Sequence, residues 1–293
     1  MPRNIRVLIG FGVLLVTLRG FNALAQLPGI DVGNNVRFNS GQNVQPIFDG
    51  WTHNPDGSFE MHFGYLNRNY VEEVSIPVGP NNSITPGGPD RGQPGFFYSR
   101  FNRLAFSITV PANWGKQELV WTLNFRGKAE RAVGWLQPEW EIDPISRGET
   151  SVPNVPPTVS ITAPSSLSKP GQLTLTATVT DDGQPPRGKG RPNRSSENPP
   201  TFKWPQPTGT APVNVPAVVH PPRPSIKGRL SLGWLVWRGP GAVTFEPPLA
   251  EADSGNVAVT ATFSKPGEYV LRARASDPGS FTIRDVKVTV GAP

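Results

Sequence analysis

Apolar residues in this chain recur at every second position in short runs, with turn-forming residues between the runs. Phe59, Met61, Phe63 and Tyr65 alternate with Ser58, Glu60, His62 and Gly64. Leu104, Phe106, Ile108 and Val110 repeat the pattern, as do Leu119, Trp121, Leu123 and Phe125. A period of two marks strands with one buried face. Shorter strands are expected at 74–78 and 129–133. Residues 79–94 are so rich in proline and glycine that a long ordered loop is expected there instead of a strand. Asn54-Pro55-Asp56-Gly57 precedes the first run. Proline fixes φ at its first corner and glycine accepts the left-handed position, so the run at Phe59 is the second arm of a hairpin.

The second half reads the same way. Val159–Ile161 is followed by Leu173, Leu175, Ala177 and Val179 alternating with threonines. Further strands are expected at Leu232–Trp237, Ala242–Phe245, Val257–Phe263, Tyr269–Ala275 and Phe281–Val290. No stretch keeps an apolar period of 3.6. Thirty-five prolines and 31 glycines also suit short strands joined by turns. The fold class expected is all-β, with two tandem β-sandwich-like domains, the second immunoglobulin-like. The N-terminal module, a sandwich or barrel, spans 45–142. A proline-rich linker covers 143–157 and the second module 158–293.

Residues 1–25 change the picture of where the chain works. Arg3 and Arg6 precede the apolar stretch Val7–Leu18, and Ala23-Leu24-Ala25 supplies a small-x-small cleavage site. Such a stretch spans only about 18 Å as a helix against a bilayer core of about 30 Å. A cleaved signal peptide is expected, then a flexible lead-in over 26–44, in a protein secreted or held in the periplasm. No membrane span is expected after cleavage. The chain has no cysteine, which excludes disulfides, thiol catalysis and thiolate metal sites, so its sandwiches depend on their apolar cores.

The net charge of +6 falls to +3 once Arg3, Arg6 and Arg19 are removed. Residues 183–230 carry eight Lys or Arg against Glu197 alone, together with twelve prolines. That composition predicts a disordered basic insertion. Its charges are dispersed, with only Phe202 and Trp204 among them, so no nucleic-acid partner is expected. The partner expected is a protein or polysaccharide outside the cytoplasm.

Particular motifs carry a family resemblance. Asn154-Val155-Pro156-Pro157-Thr158-Val159, Leu173-Thr174-Leu175-Thr176-Ala177, Trp237-Arg238-Gly239-Pro240-Gly241 and Phe263 through Arg272 resemble PKD-like (polycystic kidney disease repeat) domains over residues 157–291. The resemblance implies an immunoglobulin-like sandwich serving as an extracellular spacer or binding module, and no catalytic residue. The long insertion between the second and third strands departs from the family pattern. Tyr269, at the start of the sixth strand, is placed to make a tyrosine-corner bond to nearby backbone. Gly50-Trp51, Asn54 through Gly57, Phe63-Gly64-Tyr65, Asn67-Arg68-Asn69 and Asp90-Arg91-Gly92-Gln93-Pro94 are similar to the N-terminal part of uncharacterised exported bacterial proteins, which implies no activity.

Candidate chemistry is sparse. There is no Gly-x-Ser-x-Gly elbow, no phosphate-binding Walker loop and no His-Glu-x-x-His helix. The three histidines are His53, His62 and His220. A two- or four-residue hairpin loop would place Asp49, His53, Glu60 and His62 on one face, as a metal-dependent hydrolase would need. A three-residue loop with a bulge at Gly57, which Pro-Asp-Gly favours, puts His53 beside Phe59 and away from His62. Asp181, Asp182 and Asp277 fall in loops at one end of the second sandwich. They are the candidate metal ligands, set against their ordinary role as turn formers. Trp121 reads as core, whereas Trp114, Trp135 and Trp140 lie near strand ends where they could stack on a sugar. No cofactor is expected. The reading is a non-enzymatic structural or recognition protein, with glycan binding by the loop tryptophans as the alternative.

Overall fold

The computed structural model describes residues 38–142, 154–184, 225–226, 228–253 and 255–293. The signal-peptide expectation, His220 and most of the insertion and linker lie outside the described residues. Residues 38–293 belong to one compact unit.

Eight strands build its N-terminal half. They are β1 (Val44–His53), β2 (Phe59–Asn67), β3 (Val74–Ser75), β4 (Asn82–Thr85), β5 (Phe96–Phe97), β6 (Arg100–Val110), β7 (Leu119–Phe125) and β8 (Lys128–Gly134). They pair as β1-β2-β6, β4-β7-β8 and the short ladder β3-β5. Phe48 of β1 lies so close to β8 that a Cβ on Gly134 would meet its ring at 2.7 Å. Met61, Phe63, Phe97, Leu119, Trp121 and Leu123 fill the space between the sheets. The described end of the lead-in is held in place: Asn39 O accepts from the backbone of Val71 and Glu72, and Gly41 N donates to the Glu72 carboxylate at 2.7 Å.

Two expectations fail here for identifiable reasons. The stretch 79–94 contains a strand, β4, because Asn82–Thr85 carries enough unbroken backbone to pair with β7 between its proline turns. The alternation into β6 also breaks at Leu104, which is exposed with φ +50°. The β2–β6 register shifts between Phe63 and Tyr65, and β1 bulges between Phe48 and Gly50. The Asp49 carboxylate enters the gap, with no exposed side-chain surface, and accepts from Leu104 N at 2.6 Å and Arg103 Nε at 2.9 Å. Gly64 allows this, since a Cβ there would strike that carboxylate and come within 2.5 Å of Asn102 O.

The C-terminal half has β9 (Thr158–Thr162), β10 (Ser166–Leu167), β11 (Gln172–Thr180), β12 (Ser231–Arg238), β13 (Val243–Glu246), β14 (Leu249–Glu251), β15 (Asn256–Phe263), β16 (Gly267–Ser276) and β17 (Phe281–Val290). One sheet runs β13-β15-β11-β9 and the other β10-β17-β16-β12-β14. The first reproduces the immunoglobulin order D-E-B-A and the second contains G-F-C, so this half is an immunoglobulin-like sandwich. β10 and β14 were missed because two- and three-residue strands leave no periodic trace. Trp234 on the third strand is buried and stacks on Phe245 between the sheets.

The corner tyrosine forms as expected: Tyr269 donates to Lys265 O at 2.9 Å. Gly239 leaves room for its ring, and Pro240 lies over Gly267, where a Cβ would meet it at 2.7 Å. The Trp237–Gly241 motif therefore closes on the corner. Tyr269→Phe is expected to lower stability by about 1 kcal/mol. It should shift the urea midpoint without changing the slope of the transition.

Candidate functional site

The hairpin residues diverge. Asn54 N donates to Ser58 O and Gly57 takes φ +82°, giving the three-residue loop with its bulge. His53 accordingly pairs with Phe59, its ring 4.9 Å away, and lies 3.6 Å from the Glu141 carboxylate. His62 is buried and its Nε2 is 3.0 Å from Thr52 Oγ1. Glu60 accepts from Ser107 Oγ at 3.0 Å, while Asp49 serves the β6 bulge. The register thus parts His53 from His62, while Glu60 and His62 share one face of β2 with Thr52 and Ser107.

The carboxylates of the second sandwich are used by turns. Asp277 accepts from Gly279 N at 2.6 Å, from Ser280 N and Oγ, and from Asn154 Nδ2 at 3.1 Å, which ties the incoming chain to the β16–β17 turn. Asp181 accepts from Gly183 N at 3.1 Å. Asp182 accepts from Gln184 N and Val155 N. Among the described residues no three His, Asp or Glu side chains are grouped so as to hold a metal ion.

The tryptophans separate into two kinds. Trp114 is buried and its indole donates to Gln117 O at 2.8 Å. Trp135 and Trp140 are 38% and 43% exposed, with ring centroids 6.3 Å apart and planes 26° from parallel. A 3₁₀ turn, Pro138–Trp140, presents Trp140, and its ring stacks on Phe48 at 5.3 Å and 12°. Trp51 fixes the turn from beneath by donating to Gln137 O at 2.8 Å. The pair is a surface aromatic platform on a packed footing.

Sequence reasoning missed the joint between the sandwiches. Trp237, on the outer face of β12, is buried in the N-terminal core beside Phe106, and Arg272 lies 3.5 Å above its ring. Its indole donates to Gly92 O at 3.1 Å. Arg238 binds Asp90 bidentately at 2.9 and 2.8 Å and also donates to Gln93 O. In return Phe96 and Tyr98 enter the C-terminal core, where the Tyr98 hydroxyl accepts from Val236 N at 2.7 Å. Burial raises the Tyr98 phenol pKa well above the ordinary range. The two motifs that looked unrelated in sequence, Asp90–Pro94 and Trp237–Gly241, meet here.

Hydrogen bonds from Arg238 hold the Asp90 carboxyl below its usual pKa. A depressed acid contributes stability above its unfolded value, near 4, and loses it as pH falls through the folded value. The pair is half-exposed, so the contribution is less than about 1 kcal/mol. Asp90→Asn should therefore unfold at lower urea than the parent at neutral pH, and the difference should shrink as pH falls below about 4.

No family model matches the chain, and no curated protein matches it. Among solved structures, the D00-D0 domain of intimin is similar over 87% of this chain and 96% of that one, with 12% identity and a TM-score of 0.25. A chimeric titin Z1Z2 covers 86% of this chain and 100% of its own, with 10% identity and a TM-score of 0.24. Domains 4 and 5 of the S-layer protein SbsC cover 86% and 98%, with 10% identity and a TM-score of 0.23. The immunoglobulin-like assignment of the second sandwich rests on its own strand order.

Proposed function

We propose that the chain is an exported, non-enzymatic recognition or structural protein of the periplasm or cell exterior, its second half a PKD-like spacer or contact module. What carries this reading is the register of the first hairpin, which parts His53 from His62 and leaves no three of Asp49, His53, Glu60 and His62 grouped so as to hold a metal ion. The Trp237–Gly241 turn closing on the Tyr269 corner favours the PKD-like assignment over a generic sandwich. Assay of the purified protein against a panel of glycosidic, ester and peptide substrates is expected to show no turnover. A hydrolase activity that disappears in His62→Ala would overturn the proposal.

A second reading has its own support. The Trp135–Trp140 platform offers flat apolar faces to the apolar side of a sugar ring, with Glu141 and His53 close by in the chain and across the strand pair. Soluble glycans that bind there should quench tryptophan fluorescence. Trp140→Ala is expected to weaken such binding by about tenfold or more. If quenching persists unchanged in the Trp135→Ala, Trp140→Ala double variant, the platform is not where the sugar binds.

A further inference from the structure

Beside the joint, a cleft of about 460 Å³ opens between the two sandwiches. Glu73, Ser75 and Phe96 line it from the N-terminal half, and Gly241, Ser264 and Lys265 from the C-terminal half. Its walls are fixed in place. Ser75 Oγ donates to Gly239 O across the joint at 2.7 Å, and the Tyr269 hydroxyl holds the Lys265 carbonyl at 2.9 Å. Gly241 leaves the floor open for the Lys265 stem, since a Cβ there would lie 2.9 Å from its Cδ. The cleft is open to solvent on one side and lies where the two halves meet, a common place for ligand sites.

The two charges that line this cleft are unpaired among the described residues. The Glu73 carboxylate makes no hydrogen bond or ion pair with any described residue, and burial pushes its pKa up. Its neighbours on the buried side are the neutral phenols of Tyr65 and Tyr98. Lys265 stands on the other wall and forms no ion pair with Glu73 or with any other described acid. A partly buried carboxylate without a partner gains most from a ligand cation, because binding replaces lost hydration with a direct charge contact. A cation alone would sit opposite a like charge from Lys265, whereas a ligand with an anionic far end would satisfy both walls.

We propose that this cleft binds a small zwitterion, its ammonium group on Glu73 and its anionic end on Lys265. The site is separate from the Trp135–Trp140 platform, and its test does not depend on glycan binding. The probes are ω-amino acids of increasing chain length, with n-alkylamines and n-alkanoates as the single-charge controls, titrated calorimetrically into the full protein. One chain length is expected to bind best, and at least about fivefold more tightly than the matching amine or acid. Glu73→Gln should weaken that binding about tenfold or more. Lys265→Met should reduce it to the affinity of the matching amine. Both variants are checked by thermal melting, and Glu73→Gln is expected to melt no lower than the parent because it removes a carboxylate that burial disfavours. Should either variant unfold, the comparison of probes on the parent decides. No binding by any ω-amino acid up to about 10 mM, or equal binding by the amines, would refute the proposal.

Discussion

Trp237→Ala is expected to lower the unfolding free energy by about 3–5 kcal/mol. The indole is 5% exposed, reaches Phe106 of the opposite sandwich, lies under Arg272 and donates to Gly92 O. Alanine would leave a cavity in the N-terminal core, which Trp237 helps to fill. It would also leave the Gly92 carbonyl and the Arg272 guanidinium without the contacts made here. Far-ultraviolet circular dichroism reports all the strands, and tryptophan fluorescence reports mainly the N-terminal core. Both should move to lower urea together. Trp237→Phe, which keeps a ring but no N–H, should fall between parent and alanine. A loss below about 1 kcal/mol for Trp237→Ala would mean that the joint adds little to stability.

The second large effect is expected at Asn82, a fully buried amide. Its Nδ2 donates to Ile76 O at 2.9 Å and Pro94 O at 2.7 Å, and its Oδ1 accepts from the Trp121 indole at 2.9 Å. One side chain therefore ties the loop ends around β4 to the central tryptophan of the N-terminal core. Asn82→Ala strands three buried polar groups, each costing about 1–3 kcal/mol when unsatisfied, so a total loss of about 3 kcal/mol or more is expected. Asn82→Asp keeps the acceptor for Trp121 but turns a carboxylate toward two carbonyl oxygens, and should be at least as damaging at neutral pH. Equilibrium urea unfolding checks both. A variant as stable as the parent would show that water replaces the amide without loss.

Much of this architecture is legible in the residues. Period-two runs placed β7, β11 and β15 because buried and more exposed positions alternate along them, and the Pro-Asp-Gly turn carried the register that parts His53 from His62. Trp121 was readable as core because its neighbours alternate with it. Leu104 was misplaced because a bulge resets alternation, and only Gly64 and a buried acid at position 49 hint at one. Trp114 was grouped with the surface tryptophans because strand-end position does not reveal that its indole folds back onto Gln117. The joint did leave a trace: Leu232 through Trp237 is apolar at nearly every position, as a strand buried on both faces requires. What that trace could not give was the identity of the covering surface. The polar loops that supply it contribute backbone carbonyls and Asp90, and carbonyls have no sequence signature. The buried amides Asn67, Asn69, Asn82 and Gln93 were hidden for a similar reason, since each stands in for backbone pairing where strands end.

Because Phe96 and Tyr98 complete one core and Trp237 completes the other, the frontier between the sandwiches runs through side chains and not along the chain. Recombination within the proline-rich stretch after Ile142 would transplant either half with an opening in its centre. The halves of this molecule are therefore expected to be inherited together, with changes at Asp90–Pro94 matched by changes at Trp237–Gly241. Mosaic descendants that carry one half alone would need a new residue to close each opening.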